Sequence, residues 1–167
     1  MSGPGVLTVM GIDPGSRITG YGVVEYANSH FNYVASGCIK TSKGEFAVRL
    51  GEIYSALDRL ISQYQPEVVA IEEVFVARSV SSALKLGQAR GAAIAAVAAH
   101  ELPVAEYAAR KVKQTLTGVG SAQKEQVAHM VKVLLGLSSD PAEDAADALA
   151  LAICYVNSRQ TIPEAGS

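Results

Sequence analysis

Two cysteines among 167 residues, no surplus of positive charge and no long apolar run set the first limits on this chain. Cys38 and Cys154 stand far apart in apolar surroundings, without CxxC or Cys/His metal spacing, and read as reduced core residues. The longest nearly uninterrupted apolar stretch, Gly91 to Ala99, is about half of the roughly 20 residues a membrane-spanning helix needs, so it reads as a buried helix. Met1 to Gly5 has no basic residues ahead of an apolar run and no cleavage pattern, and a cytoplasmic location is expected. Charged residues make up 18% and apolar residues 49%, which excludes general disorder and predicts a sizeable core. Lys and Arg number 14 against 16 Asp and Glu, a net charge of −2. By count alone that opposes a nucleic-acid binder, because neutralising phosphates draws on surplus cations. The objection weakens where acids cluster around metal ions and leave a basic surface about them.

What is present is a strand-rich start and a helix-rich remainder. Val6 to Ile12 is apolar and β-branched and runs into the turn residues Asp13-Pro14-Gly15-Ser16, so a buried first strand ends at Asp13. Ile18 to Tyr26 and Tyr33 to Thr41 read as two more strands, separated by Asn28, Ser29, His30 and Asn32. Apolar residues recur at helical spacing from Glu45 to Tyr64, Pro66 ends that helix, and Val68 to Val74 reads as strand four, carrying Glu72 and Glu73. Ser81 to Glu101 reads as a long helix and Val104 to Tyr107 as a fifth strand, followed by the basic residues Arg110, Lys111 and Lys113. A capping pattern at Ser121 opens a helix that ends at Gly136, and a last helix spans about Ala142 to Tyr155. Residues 1–157 are expected to form one domain, with 158–167 a flexible tail. A meander followed by crossover units means an α/β fold with a five-stranded mixed sheet flanked by helices.

Carboxylates stand where a core would not ordinarily choose them. Asp13 ends the first strand, Glu72 lies in the fourth, and Asp144 and Asp147 are three apart on one helix face. With the first and fourth strands adjacent, all four acids can converge. Carboxylates crowded at low dielectric repel unless cations fill the gap, and oxygen-only ligands favour Mg²⁺ or Mn²⁺. Two such ions activate a water and stabilise the leaving oxygen of a phosphodiester displacement. Taken singly, each acid has a plainer reading: a turn at Asp13-Pro14-Gly15, a solvated strand end at Glu72-Glu73, a helix-dipole preference at Asp144 and Asp147. Asp147 argues against the plain reading, because in Ala145-Ala146-Asp147-Ala148-Leu149-Ala150 an unpaired carboxylate is costly.

At these residues the sequence resembles the RuvC family of Holliday junction resolvases, within the ribonuclease H-like superfamily. The resemblance runs from about Val9 to Ile153. It is carried by Gly11-Ile12-Asp13-Pro14-Gly15-Ser16-Arg17 with Thr19-Gly20-Tyr21-Gly22, by Ala70-Ile71-Glu72, by Ser82 to Gly91, by Glu106 to Arg110 and by Asp144 to Ala150. It implies a ribonuclease H-like fold, a homodimer, and Mg²⁺-dependent symmetric nicking of four-way junction DNA alongside the branch-migration proteins RuvA and RuvB. By position it makes Asp13, Glu72, Asp144 and Asp147 the catalytic, metal-holding carboxylates. It makes Lys113 and Lys124 lysines near the active site and DNA, and Phe75 an aromatic at the junction centre. A preference for cutting within a short thymine-containing sequence is also implied. Glu73 departs from the family pattern. Successive strand side chains point to opposite faces, so one of the adjacent glutamates joins the cluster, and register to the family motif picks Glu72.

Around that core of residues, Arg78, Lys85, Arg90, Arg110 and Lys111 are candidates for a DNA-facing basic surface, although helices also carry such charges for solubility. His30, His100 and His129 share no spacing and read as structural or solvent-facing. Gly87 and Gly91 give one helix a small-residue face for close helix approach, either within the core or across a two-fold axis, and the implied function favours the two-fold. Three other functional classes remain open: a different ribonuclease H-like nuclease acting on RNA or another branched DNA, an actin-like ATPase, for which the chain is short, and a non-catalytic junction-binding module.

Overall fold

A computed structural model describes residues 5–73 and 79–160. Ten elements follow one another: β1 Leu7–Asp13, β2 Ile18–Ala27, β3 His30–Lys40, α1 Phe46–Tyr64, β4 Val68–Glu72, α2 Val80–Ala99, β5 Val104–Tyr107, α3 Ala109–Thr117, α4 Lys124–Leu135 and α5 Glu143–Gln160. The strands form one sheet in the order β3-β2-β1-β4-β5. β1, β2 and β3 pair antiparallel, while β4 and β5 run parallel to β1, as two helical crossovers require.

Strand alternation divides the core in two. Met10, Ile12, Val23 and Val69 face α1 and α2, where they meet Ile53, Leu57, Ile61, Ala89, Ala93 and Val97. Val9, Val24, Val68 and Ala70 face the other way, towards Val112 of α3, Val127 and Val131 of α4, and Leu149 and Ile153 of α5. Asp13 has the parity of Val9, and Glu72 that of Val68 and Ala70, so both acids are aimed at the α5 side.

Helix α5 lies unusually close to the sheet because two strand glycines leave room for its backbone. A Cβ at Gly11 would fall 1.8 Å from the Ala148 carbonyl oxygen, and one at Gly20 would fall 2.0 Å from that of Asp144. Residues 144 and 148 are one helical turn apart, so the glycines of two neighbouring strands seat successive turns of the same helix. This seat sets the height of Asp144 and Asp147 above the end of β1.

Several boundaries differ from the sequence reading. The β2–β3 hairpin closes over Asn28 and Ser29 alone, with φ of 51° and 62°, so His30 and Asn32 belong to β3. Paired positive φ angles match the twist of the strands, and an Asn-Ser pair signals them less clearly than Asn-Gly. Strand β4 ends at Glu72, before the expected Val74. The segment carrying Arg110, Lys111 and Lys113 is itself a helix, α3, which buries Val112 and Leu116 and stops at Gly118 with φ 80°. Nine residues with two core positions are too few to declare a helical period. Helix α4 is capped by Gln123, two residues beyond Ser121: the Gln123 amide donates to Gln126 Oε1 at 2.8 Å, a glutamine version of the capping box. Helix α5 continues to Gln160, five residues beyond Tyr155.

Candidate active site

The carboxyl ends of β1 and β4 are adjacent, since Ile12 pairs with Ile71, and the first turn of α5 faces them. Loops and helix starts at this edge of a parallel pair are where ligands bind in open α/β sheets. Here Asp13, Asp144 and Asp147, all half-buried, bring one carboxylate oxygen each to within 4.8 Å of the others. Glu72 stands beside that trio and lines two clefts. With Lys113, Lys124 and Asp147 it borders a cavity of about 230 Å³, and with Asp13, Arg90 and Arg110 it borders one of about 390 Å³. Glu73 is exposed, and its amide donates to the Tyr107 carbonyl at 2.9 Å, which ties the end of β4 to β5.

The electrostatics are those of acids forced together. Burial, then the charges of Asp147, Glu72 and Asp144, push the Asp13 carboxyl up to about 7, with Lys124 partly offsetting them. Burial raises Glu72 as well, Asp147 adds to it, and Lys124 and Lys113 oppose. Asp147 is raised first by burial, against the pull of Lys124. Lys124 bonds Glu143 and lies 3.2 Å from Asp147 Oδ2; the Glu143 contact is the main reason its ammonium holds its proton more firmly than usual. An all-oxygen trio with no histidine or thiolate fits a hard divalent cation, and the mutual repulsion is what such a cation would relieve.

The other sequence candidates are distributed around this point. Arg90 donates through Nε to the Glu72 carbonyl at 3.3 Å and through Nη2 to Glu106 Oε1 at 2.6 Å. Its guanidinium therefore fixes the backbone that presents Glu72. Arg110 lines the same cleft as Asp13. Lys85 and Lys111 are exposed, and the charge of Lys111 is felt at Cys154. Phe75 and Arg78 lie outside the described residues. Gly87 and Gly91 are exposed, with nothing within 4 Å of where a Cβ would sit, so they do not pack within the core. Glu143 and Glu106 were not anticipated. Exposed acids 19 and 16 positions from their lysine and arginine partners leave no local signal.

This sheet order, with acids at the ends of β1 and β4 facing an acidic terminal helix, defines a nuclease of ribonuclease H-like fold. The family model described as "Crossover junction endodeoxyribonuclease RuvC" matches residues 9–155. The protein of that name from Cronobacter sakazakii is 56% identical over 155 residues, covering 92% of this chain and 90% of its own length. Its namesake from Pseudoalteromonas translucida is 56% identical over 154 residues, with 92% and 88% covered. Thermus thermophilus RuvC, solved in complex with Holliday junction substrate, superimposes with a TM-score of 0.87 at 36% identity, covering 92% of this chain and 95% of that one. The chain belongs to the RuvC family. Among the described residues, no helix is long and apolar enough to cross a membrane.

Proposed function

We propose that this chain resolves four-way DNA junctions as a homodimer, hydrolysing one phosphodiester in each of two opposed strands. The observation that carries the reading is the convergence of Asp13, Asp144 and Asp147, with oxygens within 4.8 Å, at the carboxyl edge of a ribonuclease H-like sheet. Asp13, Glu72, Asp144 and Asp147 are assigned to two Mg²⁺ ions, with Mn²⁺ able to substitute. When bound, the ions supply an activated water and a counter-charge for the leaving oxygen. Asp13, whose proton is held first by burial and then by the neighbouring carboxylates, would release that proton to serve as a ligand. Lys124, paired with Glu143 and Asp147, is assigned to hold the scissile phosphate, and Lys113 of α3 lines the same cleft with it. Arg90 keeps Glu72 in position.

Phe75, Arg78, Lys85, Arg90, Arg110 and Lys111 are assigned to the surrounding DNA contacts, and RuvA and RuvB to the assembly that delivers the junction in the cytoplasm. For the dimer, α2 offers Val80 and Leu84, 78% and 63% exposed, in line with the open Gly87 and Gly91. A patch of this kind on two copies is self-complementary about a two-fold axis.

The test is a cleavage assay with and without Mg²⁺ on synthetic four-way DNA, with cut sites mapped. Paired nicks at equivalent positions in opposed strands, within a thymine-containing sequence and leaving 5′-phosphate and 3′-hydroxyl ends, are expected. Preferential cutting of an RNA–DNA hybrid, or cutting without a divalent cation, overturns the reading.

A further inference from the structure

The open end of the β2–β3 pair carries a second charged feature. Arg17, Lys40, Lys43 and Arg49 line a cleft of about 450 Å³ with Ile18, Thr41 and Ser42, and no carboxylate lines it. In a chain of net charge −2, four of the 14 cations share this one hollow. Among the described residues, none of the four is in an ion pair.

The cleft has a fixed frame. Arg49 Nη2 donates to the Ser16 carbonyl, its Nε donates to Thr41 Oγ1 at 3.4 Å, and its guanidinium lies 5.3 Å from the centre of the Phe46 ring. Thr41 in turn donates from its amide to the Arg17 carbonyl at 3.0 Å and from its hydroxyl to the same oxygen at 3.1 Å. The segment bearing Arg17 is thus pinned beside Lys40, leaving the three exposed cations, Arg17, Lys40 and Lys43, to meet a ligand. The first turn of α1 begins three residues after Lys43 and has no side-chain cap, so its amides add positive potential. The adjacent Glu52 is occupied by the Ser42 amide at 2.8 Å and lies outside the cleft.

The position suits a second phosphate on the same nucleic acid. Asp13 pairs with Gly20, while Ile18 pairs with Lys40 two rungs further along and one strand further out. At about 3.3 Å per residue and about 4.8 Å per strand, Lys40 lies about 12 Å from Asp13 along the sheet. Successive phosphates of one strand rise about 3.4 Å along the duplex axis and stand further apart through space, so this distance spans at most three to four nucleotides.

We infer that Arg17, Lys40, Lys43 and Arg49 form a docking site for one DNA backbone phosphodiester, at most three to four nucleotides from the bond that is cut. The inference rests on the junction-cutting reading and extends it: the acid cluster acts on one phosphate while this cleft holds another on the same arm and sets its approach.

The experiment compares wild type with K40E/K43E and the neutral K40Q/K43Q, all exposed positions, on intact four-way DNA and on DNA with methylphosphonate linkages scanned one to five nucleotides either side of the cut. K40E/K43E is expected to bind the intact junction about tenfold more weakly at 0.1 M salt, the effect of removing about one charge-assisted hydrogen bond. The slope of log affinity against log salt should fall by about 0.9 for each phosphate the protein no longer neutralises. K40Q/K43Q should show a smaller effect on affinity and on the salt slope. One neutral linkage should weaken wild type and leave K40E/K43E unaffected, because the partner is already gone. Wild-type affinity and salt slope in K40E/K43E, or equal sensitivity of variant and wild type at every linkage, overturns the docking site alone. Wild type that neither binds nor cuts the junction overturns the parent reading.

Discussion

Asp13 shows how a single residue ties function to stability. Its folded-state carboxyl sits at about 7 against 3.8 in a free chain, so in metal-free protein the folded form holds a proton that the unfolded form has released. Stability from this group is complete below about pH 3.8 and is lost as pH rises through about 7. Glu72 and Asp147 are raised too and act in the same direction. Glu52 and Glu143, which are lowered, act below their ordinary range and leave the neutral window alone. Metal-free protein should therefore melt at a lower temperature at pH 8 than at pH 5.5. Mg²⁺ should restore the loss at pH 8, and Asp13→Asn should remove most of the pH dependence, all read by thermal unfolding. The same Asp13→Asn variant should lose cutting by about a hundredfold to a thousandfold, given that removing one preorganised electrostatic group costs about 10²–10³, yet bind junction DNA as wild type does in a gel-shift assay. Unaltered cutting would contradict the assigned role. Asp147 was legible in the sequence because it interrupts an apolar run, which a solvated acid has no reason to do, whereas Asp13 and Asp144, in a turn and beside Glu143, became legible only with it and with the family motif. Glu143, Glu106 and the clamp of Arg90 on Glu72 were not, because exposed charges look alike until their partners are known.

Among the elements, α5 and its seat decide whether three carboxylates meet. The sheet contributes backbone rather than side chains where the two touch, so any Cβ there has nowhere to go. Gly20→Ala should cost about 3 kcal/mol, at the upper end for overpacking a close-packed site, and lower the melting temperature by about 10 °C. Activity should fall more than stability explains, because the carbonyl that would be struck belongs to Asp144 itself. Gly51→Ala is the contrasting change: in α1 a Cβ meets nothing within 4 Å, and a gain of up to about 1 kcal/mol is expected from helix propensity. A Gly20→Ala protein with wild-type melting and cutting would show that the helix does not depend on this close approach. Strand and long-helix positions were readable because their apolar periods persist over many residues. The seat was hidden, since a glycine in a strand looks the same whether it serves a turn or a neighbouring backbone. Helix α3 was hidden because its short amphipathic pattern resembles a basic loop.

On the scale of the whole molecule, net charge misleads and distribution decides. A count of −2 opposes nucleic-acid binding, yet the acids that produce it are partly gathered at the site, while Lys113, Lys124 and the cleft at Arg17 present cations nearby. The fold places one acid cluster on each chain, whereas a four-way junction presents two equivalent strands; paired cutting therefore asks for two chains related by two-fold symmetry. Among the described residues, Val80 and Leu84 on α2 are the most exposed of the large hydrophobic side chains and stand one helical turn apart, although Val48, Val119 and Val133 are also more than half exposed. Leu84→Glu separates folding from assembly. At 63% exposure the change should leave the melting temperature of the isolated chain within the range of an ordinary surface substitution, about 0.5 kcal/mol either way. Across a two-fold it brings like charges together in an apolar interface, so sedimentation should shift from dimer to monomer at micromolar concentration. Nicks in the two opposed strands should then become uncoupled, accumulating singly nicked junction before resolved product on a supercoiled cruciform plasmid. A Leu84→Glu protein that remains dimeric and resolves the cruciform in one step would place the two-fold interface on another face.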